Sequence, residues 1–174
     1  MLSDNKIKKI IDILKHDGVG VMPTDTLYGL VGSAFSEKAI ERIYKIKKRS
    51  KDKKSIILIS SINDLKKFGI EVDRELGSIL KKYWPGKTSI VLNDIAFRFP
   101  AKQSVIEILK QTGPLVAPSA NVEEEKPAEN VTEAREYFGD SVDFYLSGGS
   151  LRSQPSTLIK VNENGGIVVL RGKL

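Results

Sequence analysis

Along the first eighteen residues, Ile7, Ile10, Ile11 and Leu14 recur at helical spacing between the cap-forming Ser3 and Asp4 and a closing Gly18, which predicts an amphipathic helix. The next apolar burst, Val19-Gly-Val-Met22, is short and halted by Pro23, so it reads as a buried strand opening into the loop Pro23-Thr-Asp-Thr-Leu-Tyr-Gly29. After Ser36, the stripe Ala39, Ile40, Ile43 and Tyr44 predicts a second helix that runs into a basic stretch from Lys45 to Lys54. The period then changes. Ser55-Ile-Ile-Leu-Ile-Ser60 reads as a strand, and helical segments near 62–68 and 73–83 follow the caps Ser61 and Asp73, the second ending at Trp84-Pro-Gly86. Strands over Thr88–Leu92 and Ile95–Phe99 flank Asn93-Asp94, a pair suited to a tight hairpin. A helix over 102–111 closes at Gly113, Leu115-Val-Ala117 is a further buried strand, and a helix over 131–138 precedes strands 142–146, 156–161 and 167–171.

Helices and strands thus mix without strict alternation, and hairpin neighbours occur. The expected fold is α/β in the broad sense, close to α+β, with a twisted mixed sheet flanked by helices. No internal repeat and no linker-like composition interrupts the chain, so residues 1–174 are expected to form a single domain.

Composition narrows the chemistry. The chain has no cysteine, which excludes thiolate nucleophiles, disulfides and Cys-based metal sites. Its single histidine, His16, falls in the last turn of the first helix, where a cation suits the helix dipole, and so reads as a capping or surface residue. Lys and Arg total 28 against 22 Asp and Glu, a net charge of +6 that favours anionic partners such as phosphates, nucleotides or RNA. No apolar run approaches the ~18–20 residues of a spanning helix, and Met1–Lys9 lacks the apolar stretch of a signal peptide. A cytoplasmic protein with no membrane contact is expected.

The strongest electrostatic feature is Lys45–Lys54, with seven cations and one acid in ten residues. It fits either a solvated basic turn, an RNA-contacting loop, or a clamp for phosphates held by a helix end. Neither the Gly-x-x-x-x-Gly-Lys-Ser/Thr phosphate loop nor the Gly-x-Gly-x-x-Gly turn is present, so any nucleotide must be gripped largely by side chains. Arg98 alternates with Phe97 and Phe99, which turns its guanidinium to the opposite face, either to solvent or into a cleft. Trp84-Pro-Gly86 reads as a helix stop with an aromatic anchor, and Glu123–Glu125 as a solvated loop without a ligand role.

Taken in order, eight short motifs resemble the YrdC-like threonylcarbamoyl-AMP synthase family, over about residues 18–172. They are Pro23-Thr-Asp-Thr-Leu-Tyr-Gly29, Lys47-x-Arg49-x-Lys51-Asp52, Tyr83-Trp-Pro-Gly86, Phe97-Arg-Phe-Pro100, Ala117-Pro-Ser-Ala-Asn121, Gly148-Gly149, Pro155-Ser-Thr157 and Leu170-Arg-Gly172. The chain looks like the short form of that family, without a C-terminal extension. The resemblance implies a YrdC-like fold with a large basic cavity, and a reaction in which L-threonine, bicarbonate and ATP give threonylcarbamoyladenylate and pyrophosphate. That product serves threonylcarbamoyladenosine (t6A) modification of tRNA, with transfer left to partner proteins.

Carried over residue by residue, the resemblance implies that Lys47 and Arg49 face the nucleotide phosphates, joined by Lys51, while Asn121 and Arg171 also contact ATP. It implies a threonine site of Thr26, Tyr28, Arg98, Ser119 and Ser156, with Arg98 reading the carboxylate. No residue is expected to act as nucleophile, acid or base, and no protein metal site is expected. Mg²⁺ is expected to accompany ATP. Two other readings are an RNA- or nucleotide-binding module without catalysis and a carbamoyl-adenylate-forming relative. Several positions depart from the family pattern: Ser50 and Lys87 stand where prolines are usual, Leu58 where longer relatives have histidine, Asp94 where a hydroxyl is common, and acids follow Val122.

Overall fold

The computed structural model describes residues 4–50, 53–162 and 165–173. The first helix, α1 (Asp4–Lys15), leads into strand β1 (Gly20–Pro23), which turns back as β2 (Tyr28–Ser33). Helix α2 (Glu37–Lys47), the two-residue strand β3 (Ile57–Leu58), a 3-10 helix (Ile62–Phe68) and helix α3 (Arg74–Tyr83) follow. Then come the hairpin β4 (Thr88–Leu92) and β5 (Ile95–Arg98), helix α4 (Gln103–Thr112), β6 (Leu115–Val116) and α5 (Val131–Phe138). Strands β7 (Phe144–Tyr145), β8 (Thr157–Val161) and β9 (Ile167–Arg171) close the chain.

These strands form a mixed sheet in the order β7-β1-β2-β6-β3-β5-β4-β8-β9. The β1–β7, β3–β5 and β4–β8 pairs are parallel and the others antiparallel, as the mixture of hairpins and helical crossovers requires. Alternation along the strands builds two cores. Val21, Leu30, Ile90 and Phe97 pack with Ala39 and Ile43 of α2, Leu80 of α3 and Phe138 of α5. Met22, Val31, Leu58 and Leu115 pack with Ile10 and Leu14 of α1 and Ile108 and Leu109 of α4.

Local chemistry accounts for the element ends. The Ser36, Asp73 and Asn130 side chains accept from backbone N–H groups of Ala39, Leu76 and Glu133, capping α2, α3 and α5. Asn93 and Asp94 both have positive φ, the pairing that lets two residues close the β4–β5 hairpin. Strand β2 is a correction to the sequence reading, which left Tyr28 and Gly29 in a loop and predicted no strand over 30–33. Its Gly32 is favoured by close packing: a Cβ there would lie 3.1 Å from both Ala39 Cβ and Ile43 Cδ1, where α2 presses on the sheet. Among the described residues, no helix is long and apolar enough to cross a membrane.

Candidate active site

The β1–β2 turn, the basic loop after α2, the end of β5, the loop after β6 and the start of β8 converge on one hollow of about 300 Å³. Its walls include Thr26, Tyr28, Arg49, Arg98, Ser119, Ser156 and Arg171. Seven of the ten residues singled out from sequence are therefore brought together, with Lys54 adding a fourth cation to Arg49, Arg98 and Arg171. Lys47 and Asn121 stand behind this wall. Lys51 lies outside the described residues.

The floor is organised around Arg98, which is 4% exposed at the end of β5. Its Nη1 donates to Thr26 Oγ1 at 3.1 Å and its Nη2 to Thr24 Oγ1 at 3.2 Å. Asp25 Oδ1 lies 3.2 Å from Nη2, a buried ion pair. The approach lacks hydrogen-bond alignment: among the described residues Asp25 Oδ1, like Arg98 Nε, is buried without a hydrogen-bond partner. Burial pushes the guanidinium below its ordinary pKa, Asp25 opposes that shift, and nearby Arg171 adds to it. The strand pattern placed Arg98 opposite the phenylalanines correctly, but gave no sign of its partner. Thr24 and Asp25 were visible only as members of a turn motif, although Thr24 shares a period of two with Thr26.

The turn after β6 is held from behind by Lys47. This side chain is 1% exposed, and its Nζ donates to Ser119 O and Asn121 O, both at 2.6 Å, and to Asn121 Oδ1 at 3.1 Å. Burial lowers its pKa from the ordinary 10.5 to about 8, with Arg49 adding to the effect and Glu123 opposing it. The Ser119 hydroxyl donates to the same Asn121 Oδ1 at 2.6 Å, and Asn121 Nδ2 donates to the carbonyls of Val122 and Glu125. Lys47 thus spends its ammonium on the turn, while Arg49, two residues on, reaches the hollow. The Arg49 guanidinium donates to Lys53 O at 3.0 Å and Lys54 O at 3.2 Å, which braces the basic loop.

The opposite wall comes from the last two strands. Arg171 on β9 donates through Nε and Nη2 to Ser156 O, and through Nη2 to Ser156 Oγ at 3.3 Å. Ser156 Oγ also lies 2.9 Å from Ser89 Oγ, so the serine is fixed between two strands. Sequence reasoning missed Ser89, whose place in a strand looked like ordinary alternation. Tyr28 has a different character. Its buried hydroxyl donates to Gly149 O at 2.6 Å and accepts from Gly148 N at 2.8 Å, pinning the Gly148-Gly149 loop beside the site.

Three further residues lie elsewhere. His16 is exposed beside Asp12, with Nδ1 2.8 Å from Asp12 O. Trp84 is 4% exposed and donates through Nε1 to Thr88 O at 2.7 Å, as expected of a structural anchor. Asp94 sits on the β4–β5 turn, 3.5 Å from Lys160 and outside the hollow's lining, so it presents no charge to a bound phosphate there. The acidic tract is more than a solvated loop: Glu123 Oε1 accepts from Lys53 Nζ at 2.6 Å and its Oε2 lies 4.0 Å from Arg49 Nη1.

The Sua5_yciO_yrdC family model, described as "Telomere recombination", matches residues 12–172. The chain belongs to this family. Within the Sua5/YciO/YrdC family, it is 30% identical over 168 residues to the threonylcarbamoyl-AMP synthase of Hahella chejuensis, covering 87% of this chain and 91% of that protein. It is 28% identical over 174 residues to the threonylcarbamoyl-AMP synthase of Pyrococcus abyssi, covering 91% of this chain and 51% of that protein. The structure of P. abyssi Sua5 complexed with L-threonine superposes with a TM-score of 0.89 at 27% identity, over 98% of this chain and 55% of that one. The chain therefore spans about half the length of the P. abyssi protein and nearly all of the Hahella one.

Proposed function

We propose that this chain forms L-threonylcarbamoyladenylate and pyrophosphate from L-threonine, bicarbonate and ATP, for threonylcarbamoyladenosine modification of tRNA. The observation that carries this reading is the single hollow in which three arginines meet the hydroxyls of Thr26, Ser119 and Ser156. Cations far apart in the chain suit a polyanion, and a hydroxyl-rich floor beside Arg98 suits a small hydroxylated amino acid.

In this reading the amino acid lies on the Thr26–Arg98 floor with its carboxylate toward Arg98, Tyr28 shapes the floor, and Ser119 and Ser156 orient the substrate. ATP lies toward Arg49 and Arg171, with Lys47 and Asn121 fixing the turn against which it rests. The amine nitrogen bonds to the carbon of CO₂ derived from bicarbonate and loses a proton, giving a carbamate. A carbamate oxygen attacks the α-phosphorus, the bond to the bridging oxygen breaks, and pyrophosphate departs with that electron pair. Negative charge grows on phosphoryl oxygens, where fixed guanidinium groups stabilise it without a side-chain nucleophile. Mg²⁺ accompanying the nucleotide would neutralise phosphate charge beside the arginines.

The reading extends to a protein working as one unit in the cytoplasm. One sheet joining strands from β1 to β9 supports the single unit. Partner proteins would transfer the threonylcarbamoyl group to tRNA, and exposed Lys48 and Lys53 beside the site could meet RNA phosphates. The test is pyrophosphate release with ATP, Mg²⁺, bicarbonate and each of several amino acids. Threonine-dependent release is expected, and its absence refutes the assignment. Arg49→Ala should weaken ATP binding about 10- to 100-fold, while Arg98→Lys, which keeps a charge opposite Asp25, should chiefly raise the KM for threonine. Unchanged affinities in both variants would remove these residue roles.

A further inference from the structure

The acids after Val122 lie where they can act on the basic loop. Glu123 N donates to Lys47 O at 2.9 Å, which seats this turn against the end of α2. The adjoining Glu124 has a φ of 71°, and the Asn121 amide ties Val122 and Glu125 into the same turn. The Glu123 carboxylate is thereby held 2.6 Å from Lys53 Nζ and 4.0 Å from Arg49 Nη1. Arg49 itself lines the hollow. The Lys53 hydrogen bond holds this carboxyl below its ordinary pKa; desolvation opposes it, and the charges of Arg49, Lys53 and Lys47 reinforce it. It is therefore ionised at neutral pH.

We propose that Glu123 is a built-in counter-ion of the basic loop, and that a polyphosphate entering the hollow competes with it for Arg49 and Lys53. The inference rests on the nucleotide-binding reading above and deepens it by naming a residue that sets affinity. With the hollow empty, Glu123 relieves the repulsion among Lys47, Arg49 and Lys53 and keeps the loop in place. When phosphates approach Arg49, the same carboxylate becomes a like charge. One unit of like charge within several ångströms, at a partly solvated surface, changes binding on the order of tenfold. Glu123 thus trades nucleotide affinity for an ordered loop.

The experiment measures dissociation constants of ATP, inorganic tripolyphosphate and uncharged adenosine for the wild-type chain, Glu123→Gln and Lys53→Met, at low and high salt. Glu123→Gln should bind ATP and tripolyphosphate about tenfold more tightly, with a steeper salt dependence and unchanged adenosine affinity. Lys53→Met, which leaves the carboxylate less neutralised, should move polyphosphate affinity in the opposite direction. Equal or weaker polyphosphate binding by Glu123→Gln overturns the proposal even where threonine-dependent pyrophosphate release is found. Tighter tripolyphosphate binding without threonine-dependent release keeps the counter-ion assignment and removes the synthase reading. Binding of neither polyanion by either protein overturns both.

Discussion

Lys47 makes the energetics of the site measurable through pH. Its ammonium is enclosed among three oxygen acceptors, with a pKa of about 8 in the folded chain against 10.5 ordinarily. Below pH 8 both folded and unfolded chains carry this proton, and the cost of enclosing the charge counts in full. Between pH 8 and 10.5 the unfolded chain holds the proton more often than the folded one, so this group's contribution to stability rises with pH. At 1.36 kcal/mol for each pKa unit, the interval from 8 to 10.5 corresponds to about 3 kcal/mol. For a chain of 174 residues that is a shift of about 6–12 °C in midpoint temperature. Other lysines and tyrosines titrate in the same window, so the readout is a difference. Urea unfolding of the wild-type chain and Lys47→Met from pH 7 to 10.5 should show the wild type gaining about 3 kcal/mol relative to the variant. Parallel stability curves would show that the ammonium is not held at a burial cost, and the account of the turn would fail.

Asp25→Ala removes the counter-charge of a buried guanidinium and should cost about 3–5 kcal/mol in denaturant unfolding, with much of that loss restored in the Asp25→Ala/Arg98→Met double variant. A single-variant cost under about 1 kcal/mol would contradict the pairing. Tyr28→Phe removes both hydrogen bonds to the exposed Gly148-Gly149 loop; it should cost about 1 kcal/mol and speed hydrogen exchange at Gly148, whereas unchanged protection there would deny the hydroxyl its pinning role.

The helices were the most legible elements, because their apolar stripes and caps are written locally at Ser36, Ser61 and Asp73. Strands β3, β6 and β7 came out at two residues each, shorter than their apolar runs, because the ladder holds only where neighbours stay in register. Strand β2 was hidden by Gly29 and Gly32, residues that look like turn formers, although Gly32 is favoured by the close approach of α2. At the site, residue types were readable and their pairings were not. Arg98 finds Thr24, Asp25 and Thr26 across more than seventy positions of chain, a distance over which periodicity carries no information. Lys47 did leave a signal. It follows Ala39 and Ile43 at intervals of four, on the buried stripe of α2, and its membership of a charge run concealed that.

Strand β9 has a consequence of its own. Among the described residues it is the terminal strand of the sheet, paired on one side only, and Val168, Val169 and Leu170 are each more than 40% exposed. Yet Arg171, at its tip, supplies one wall of the hollow. The element that delivers this arginine is therefore secured mainly by β8, and unzipping that single seam would open the cavity while both cores stay packed. A ligand bridging Arg171 and the opposite wall would act as a rivet for the seam, coupling occupancy of the hollow to protection of the sheet's outermost amides.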